Sequence, residues 1–149
     1  MPSTTYRAEC VFCRIIAGEA PASVVYRDDR TLAFMDINPI TRGHTLVVPV
    51  EHWENLYDLP DEDSSALMLV GAKVARAAKR ALSASGVNLW MANERPAGQV
   101  VMHAHLHVIP RYPGDGFRIQ ALGRARGDRS YLDEVAAGLR EALERMQDG

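Results

Sequence analysis

GQVVMHAHLHVIPR, residues 98–111, holds three of the five histidines in this 149-residue chain. His103, His105 and His107 stand at every second position, with Ala104, Leu106 and Val108 between them. Alternation of period two predicts a strand, whose successive side chains point to opposite faces and whose same-face neighbours lie roughly 6–7 Å apart. The apolar set must turn to the core, so the imidazoles share the other face. Pro110 ends the strand, because it removes a ladder donor.

Three readings of that row stay open on the residues alone. It could be a polar face without a task, although Thr, Lys or Glu would serve there as well. It could hold one catalytic metal, but carboxylates usually complete hydrolytic metal sites, and the nearest are Glu94 and Asp115. It could be nucleophilic: an imidazole largely neutral at neutral pH attacks phosphorus without a base to deprotonate it, while its neighbours bind phosphate oxygens.

Working outward, CVFCRIIA (10–17) predicts a short helix ended by Gly18. SVVYRD and TLAFMD predict two short strands around a turn at Asp28, Asp29 and Arg30, and HTLVVPV predicts a buried strand. A long helix follows with Asp61 as its N-cap and Leu67, Val70, Val74, Ala78 and Leu82 at helical spacing, down to Gly86. VNLWMAN is the next strand, then a loop at Glu94 to Gly98, then the histidine strand. SYLDEVAAGLREALERMQ, 130–147, predicts an amphipathic helix with Leu132, Val135, Leu139, Leu143 and Met146 on one stripe. Residues 1–9 are expected to be flexible and the Gly- and Arg-rich 114–129 to form a mobile loop. Strands joined by short turns, with helices inserted between them, predict an α+β fold with a mostly antiparallel sheet in a single domain, 1–149.

Composition sets the outer bounds. A hydrophobic share of 47%, a charged share of 24% and a net charge of −2 are those of an ordinary globular domain. They supply no general field for nucleic acid or an anionic membrane, so neither is expected as a partner. Any phosphate-bearing ligand must be held by a local site. The N-terminus lacks a signal-peptide pattern and no apolar run would span a bilayer, so a cytoplasmic protein is expected. The two cysteines, Cys10 and Cys13, have the spacing of half a tetrahedral zinc site. Two free buried thiols are the alternative, and a thioredoxin-like pair is disfavoured because no βαβ pattern precedes it.

The row of histidines preceded by GQ, together with FMDINPITRGHTLVVP, resembles the signature of the histidine triad (HIT) superfamily, His-φ-His-φ-His-φ-φ with φ hydrophobic. The resemblance runs from Cys10 through PRYPGDG, and is closest to bacterial members near the Hint and fragile-histidine-triad branches. It implies a five-stranded antiparallel sheet with one long and one short helix, plus the C-terminal helix, in a homodimer. The helix from Asp61 and the strand VNLWMAN would form the interface.

The resemblance also assigns roles. His105 would be the nucleophile at the α-phosphorus of a purine nucleotide, His107 a phosphate contact, and Gln99 a donor to the bridging or leaving oxygen. Asp36 would accept from ribose hydroxyls and Asn93 would face ribose or phosphate. Ile37 and Leu46 would wall the base, and His44 would sit behind the triad. Cys10, Cys13, His52 and His103 would hold a structural zinc, with no catalytic metal needed. The implied activity is that of a hydrolase or nucleotidyl transferase acting on adenosine phosphoramidates, aminoacyl adenylates or diadenosine polyphosphates. A nucleotide-binding interaction module with incidental hydrolysis is the alternative. The chain departs from the pattern at Val100, where a serine or threonine often follows the glutamine and contacts phosphate or leaving group.

Overall fold

The computed structural model describes residues 5–118 and 125–147. It divides into two compact units, one ending at Phe117 and the other beginning at Arg118. In the first, β1 (Val24–Arg27), β2 (Thr31–Met35), β3 (Thr45–Pro49), β4 (Gly86–Trp90) and β5 (Leu106–Arg111) form one sheet in the order β1-β2-β3-β5-β4. Every neighbouring pair is antiparallel. The helices α1 (Val11–Ile16) and α2 (Asp61–Ala81) complete this unit. The fold is α+β, as expected.

Central β3 is buried along its whole length and β2 along all but its last residue. A sheet covered on both faces has no use for alternation with polar residues, which is why TLAFM and TLVVP read as continuous apolar runs. On one face, Leu67, Val70 and Val74 of α2 pack on Ala33, Val47, Leu106 and Val108. The helix lies close: a Cβ on Gly71 would come within 2.8 Å of Leu106 Cδ2. On the other face, Phe12, Cys13 and Ile16 of α1 pack on Leu32, Phe34, Leu46 and Val48. Each such side chain contributes about 1.5–3 kcal/mol when fully buried.

Three expectations need correction. Helix α2 is capped by Pro60, with no side-chain cap bond, and Asp61 is its first residue. Asp61, Glu62 and Asp63 there complement the positive end of the helix dipole. Buried Asp63 also accepts from Arg30 Nη1 and Trp53 Nε1, both at 3.0 Å. The helix stops at Ala81 rather than near Gly86, because Leu82 closes it and Ser83 takes φ +55°. The histidine strand is displaced from its expected bounds: β5 starts at Leu106, so only His107 of the three lies in the ladder, and Pro110 does not end it, since the pairing continues through Arg111 opposite Gly86. Its pairing ends at Val47–Leu106 on one side and Trp90–His107 on the other. The main chain before it bonds elsewhere, Ala104 N donating to Trp53 O at 2.7 Å. The apolar half of the alternation still holds, with Ala104, Leu106 and Val108 all in the core on the α2 face.

Of the leading segment, residues 1–4 lie outside the described residues, while Thr5 Oγ1 donates to Glu51 and accepts from His52 N, each at 2.6 Å. Of 114–129, residues 119–124 lie outside the described residues. Asp115 ties the start of that stretch to Arg111, with Nε to Oδ2 at 2.8 Å. In the second unit, α3 (Arg129–Gln147) begins one residue before its expected start and buries none of its residues. Leu132, Val135, Leu139, Leu143 and Met146 are all exposed.

Candidate functional site

The three histidines gather on the α1 face of the sheet, and their ring protons can be placed from their partners. A main-chain carbonyl only accepts, so a ring nitrogen beside one must carry hydrogen. His103 Nε2 lies 2.9 Å from Pro49 O and therefore donates. Its Nδ1 is left as a lone pair facing Cys10 Sγ at 3.4 Å and Cys13 Sγ at 3.7 Å. His105 Nδ1 donates to His103 O at 2.7 Å, which leaves His105 Nε2 unprotonated. The edge of Phe12 packs against His105, with ring centroids 5.3 Å apart. The carbonyl thus fixes one tautomer of the neutral ring, which is wedged between Phe12 and His107.

A second chain of bonds sets His107. Ile40 N donates to His44 Nδ1 at 3.0 Å, so His44 carries its hydrogen on Nε2. That Nε2 lies 2.9 Å from His107 Nδ1 and donates to it. His107 therefore keeps one hydrogen, on Nε2. Asp36, His44 and His107 stand close enough to suggest a cation site. The Ile40 amide excludes it, since a protonated His44 Nε2 has no lone pair for a metal.

Burial, followed by the charge of neighbouring imidazoles, pushes His107 down to about 4. Burial, partly offset by the Pro49 carbonyl, holds His103 at about 4 as well. His44 and His105 are lowered by burial in the same way, with Asp36 opposing. An unfolded histidine titrates near 6.5, so the unfolded chain takes up protons first as the pH falls. The contribution of neutral His107 to stability is complete above about 6.5, is lost as pH falls from there toward 4, and changes no further below. Urea midpoints of the metal-free protein should fall across that window, and His107→Gln should flatten the slope.

Cys10, Cys13, His52 and His103 offer one ligand atom each, all within 4.8 Å of one another. Cys13 Sγ lies 3.3 Å from His52 Nδ1. The set fits a tetrahedral zinc: two thiols, and a His103 nitrogen whose lone pair is aimed at them by the bond on its far side. Burial pushes the Cys13 thiol up to about 11, so a cation entering there must displace a proton.

The remaining expected residues are placed less uniformly. Asp36 Oδ1 accepts from Asn38 N at 2.8 Å, and Oδ2 lies 3.6 Å from His44 Nε2. Exposed Ile37 adjoins it, whereas Leu46 is buried under α1. His44, expected among the substrate-binding residues and behind the triad, is 1% exposed and bonds to His107 at 2.9 Å. Asn93 Oδ1 accepts from Leu56 N at 2.8 Å. Gln99 is bonded within its own loop. Its Nε2 donates to Glu54 O at 2.6 Å and Val101 O at 3.1 Å, and its Oε1 accepts from Glu94 N at 2.7 Å. No amide hydrogen is left for a bridging oxygen, and Gln99 braces the loop that Gly98 turns at φ +96°. Sequence reasoning missed Phe12, the Pro49 carbonyl and the Ile40 amide. Main-chain groups leave no trace in residue type, and Phe12 reads as core.

This geometry has close relatives. The HIT domain model matches residues 17–114. An HIT-like protein of Borreliella burgdorferi is 45% identical, over 84% of this chain and 88% of its own. The adenylylsulfatase HINT3 of Arabidopsis thaliana is 37% identical over 76% of this chain and 57% of its own. A solved Streptococcus mutans structure is 38% identical with a TM-score of 0.89, covering 94% of this chain and 88% of that one. A zinc-bound histidine triad family protein of Mycobacterium smegmatis is 41% identical with a TM-score of 0.71, covering 94% and 96%. Sequence signature, sheet order and family match agree, and the chain belongs to the histidine triad (HIT) family.

Proposed function

We propose that this protein is a nucleotide hydrolase or nucleotidyl transferase in which His105 Nε2 attacks the α-phosphorus of a purine nucleotide conjugate. Phosphoramidates and diadenosine polyphosphates are the starting class of substrate. The observation that carries the reading is the His105–His103 carbonyl bond, which leaves a lone pair on the outward nitrogen of a neutral ring. As Nε2 bonds to phosphorus the ring gains positive charge, and the same carbonyl stabilises the Nδ1–H of the resulting imidazolium. His107 Nε2–H donates to a phosphoryl oxygen as negative charge develops there. Asp36 binds the ribose diol, Ile37 lies against the base, and the free amide nitrogen of Asn93 contacts ribose or phosphate. Water, or another acceptor, then displaces His105. The adenylylsulfatase relative is in keeping with attack at an adenylyl phosphorus.

Cys10, Cys13, His52 and His103 hold a structural zinc, which when bound cross-links the start of α1 to the loops after β3 and before β5. The working form is a homodimer. Exposed Met68 and Leu69 on α2, and Leu89 and Trp90 on edge strand β4, supply its apolar contact. Single-turnover mixing quenched in alkaline denaturant, where the P–N bond survives, should trap a nucleotidyl group on the peptide bearing His105. Tight nucleotide binding with no adduct and no turnover would sink the reading in favour of a binding module.

His44 sets the tautomer of His107 without touching substrate. His44→Phe should lower kcat by about tenfold or more while KM stays within a few-fold, because it frees His107 to carry its hydrogen on Nδ1. Nitrogen-15 shifts of His107 should report the mixed tautomer. An unchanged tautomer and unchanged kcat would overturn the role.

A further inference from the structure

The four side chains that fit zinc are not equally reached from solvent. A cleft of about 970 Å³ opens between the chain leading into α1 and the loops after β3 and before β5. Cys10 and His52 line it, with Tyr6, Arg7 and Val100 among its other walls. Cys13 and His103 stand behind them, outside that lining, at 3% and 0% exposed. A small polar molecule entering the cleft therefore meets Cys10 before Cys13.

The two sulfurs are also placed to bond to each other. They belong to a set of ligand atoms that all lie within 4.8 Å of one another. Cys10 Sγ accepts from Cys13 N at 3.4 Å, which holds it on the side of its partner. Side chains three apart at a helix start have Cβ atoms about 5–6 Å apart, a short step from the roughly 3.5–4.5 Å of a disulfide. Cys10, in extended conformation just ahead of α1, closes the remainder by rotating its side chain. Both cysteines are free thiols here, and His103 Nδ1 faces the two of them at 3.4 and 3.7 Å.

We propose that Cys10 and Cys13 are a reversible redox pair: a hydroperoxide admitted by the cleft oxidises Cys10, Cys13 closes a disulfide on it, and the zinc site is dismantled. The Cys10 sulfur bonds to one peroxide oxygen and the O–O bond breaks. The other oxygen takes a proton from solvent and leaves as water or alcohol, and Cys10 becomes a sulfenic acid. The Cys13 sulfur then bonds to the Cys10 sulfur, and the S–O bond breaks with its oxygen leaving as water. Each sulfur gives up one electron and the peroxide gains two. A disulfide sulfur carries no negative charge, so two of the four ligands are lost and His52 and His103 alone hold zinc poorly. A thiol reductant restores both sulfurs, and the site with them. His105 takes no part, so this inference stands apart from the nucleotidyl-histidine reading.

The full chain, loaded with zinc and treated with hydrogen peroxide, should lose two hydrogens by intact mass. Zinc should appear on a chromogenic chelator in step with that loss, and dithiothreitol with added zinc should reverse both. Peptide mapping should find the new bond between Cys10 and Cys13. A 1,3-dione that traps sulfenic acids reads the order of attack. It should label Cys10 in Cys13→Ser at least about tenfold faster than Cys13 in Cys10→Ser. Where a serine variant does not fold, limiting iodoacetamide on the chelator-treated parent chain should alkylate Cys10 before Cys13. Thiols left unoxidised, sulfinic or sulfonic products without a disulfide, or Cys13 reacting first would each overturn the proposal. So would a disulfide that leaves zinc bound, or a chain that takes up no zinc.

Discussion

Replacing His105 with glycine should lower turnover of a nucleotide anhydride by roughly 10⁵–10⁶-fold, the scale on which loss of a covalent nucleophile is felt. The effect should fall on kcat, since Asp36 and His107, proposed to bind ribose and phosphate, are untouched. The fold should survive, because His105 is a wedge against Phe12 rather than part of the α2-side core. Free imidazole offers a stricter check. The carbonyl of His103, which holds Nδ1–H at 2.7 Å in the intact protein, is still present in the glycine variant. A small imidazole entering the vacated space can donate to it and present its own lone pair to phosphorus. Added imidazole should therefore restore part of the lost rate in the glycine variant and leave His105→Phe inactive. If turnover persists in both variants at more than about a hundredth of the parent rate, another group is the nucleophile.

Removal of metal should have the second large effect, and on stability. A ligand that binds only the folded chain stabilises it by RT ln(1 + [L]/Kd), about 4 kcal/mol when free metal stands a thousandfold above Kd. For a domain of about 150 residues each kcal/mol shifts Tm by roughly 2–4 °C. Chelation should therefore lower Tm by about 10 °C, and zinc should restore it with release of protons from the thiols. Cys13→Ser should abolish both the zinc response and the proton release, because Cys13 faces His52 and His103 together. The proposed attack by His105 uses no metal on phosphorus, so on that reading activity should track the folded fraction rather than metal content. A Tm indifferent to zinc and chelator would leave Cys10 and Cys13 as two buried thiols.

Much of this was legible in residue order, and the exceptions have one cause. Period two placed Ala104, Leu106 and Val108 in the core, and period 3.6 placed Leu67, Val70 and Val74 against the sheet and buried Ala78. These patterns report which face meets apolar surroundings, a property each residue carries by itself. The same logic overextended the histidine strand, because where a ladder ends depends on partner strands. The surroundings of Gln99 are hidden from the sequence for a similar reason. Its amide suits a phosphate site in type, but Glu54, Glu94 and Val101 use up its hydrogen-bonding capacity.

By itself the sequence determined an α+β chain and an alternation that sends Ala104, Leu106 and Val108 to the core and the three histidines to the opposite side. Tertiary structure alone decided which nitrogen of each histidine bears the proton. Pro49 O, His103 O and Ile40 N make that choice, and they come from segments far from, or main chain next to, the rings they address. A side chain's chemistry is written in its type, whereas its tautomer is set by whatever polar group the folded backbone brings within hydrogen-bonding reach.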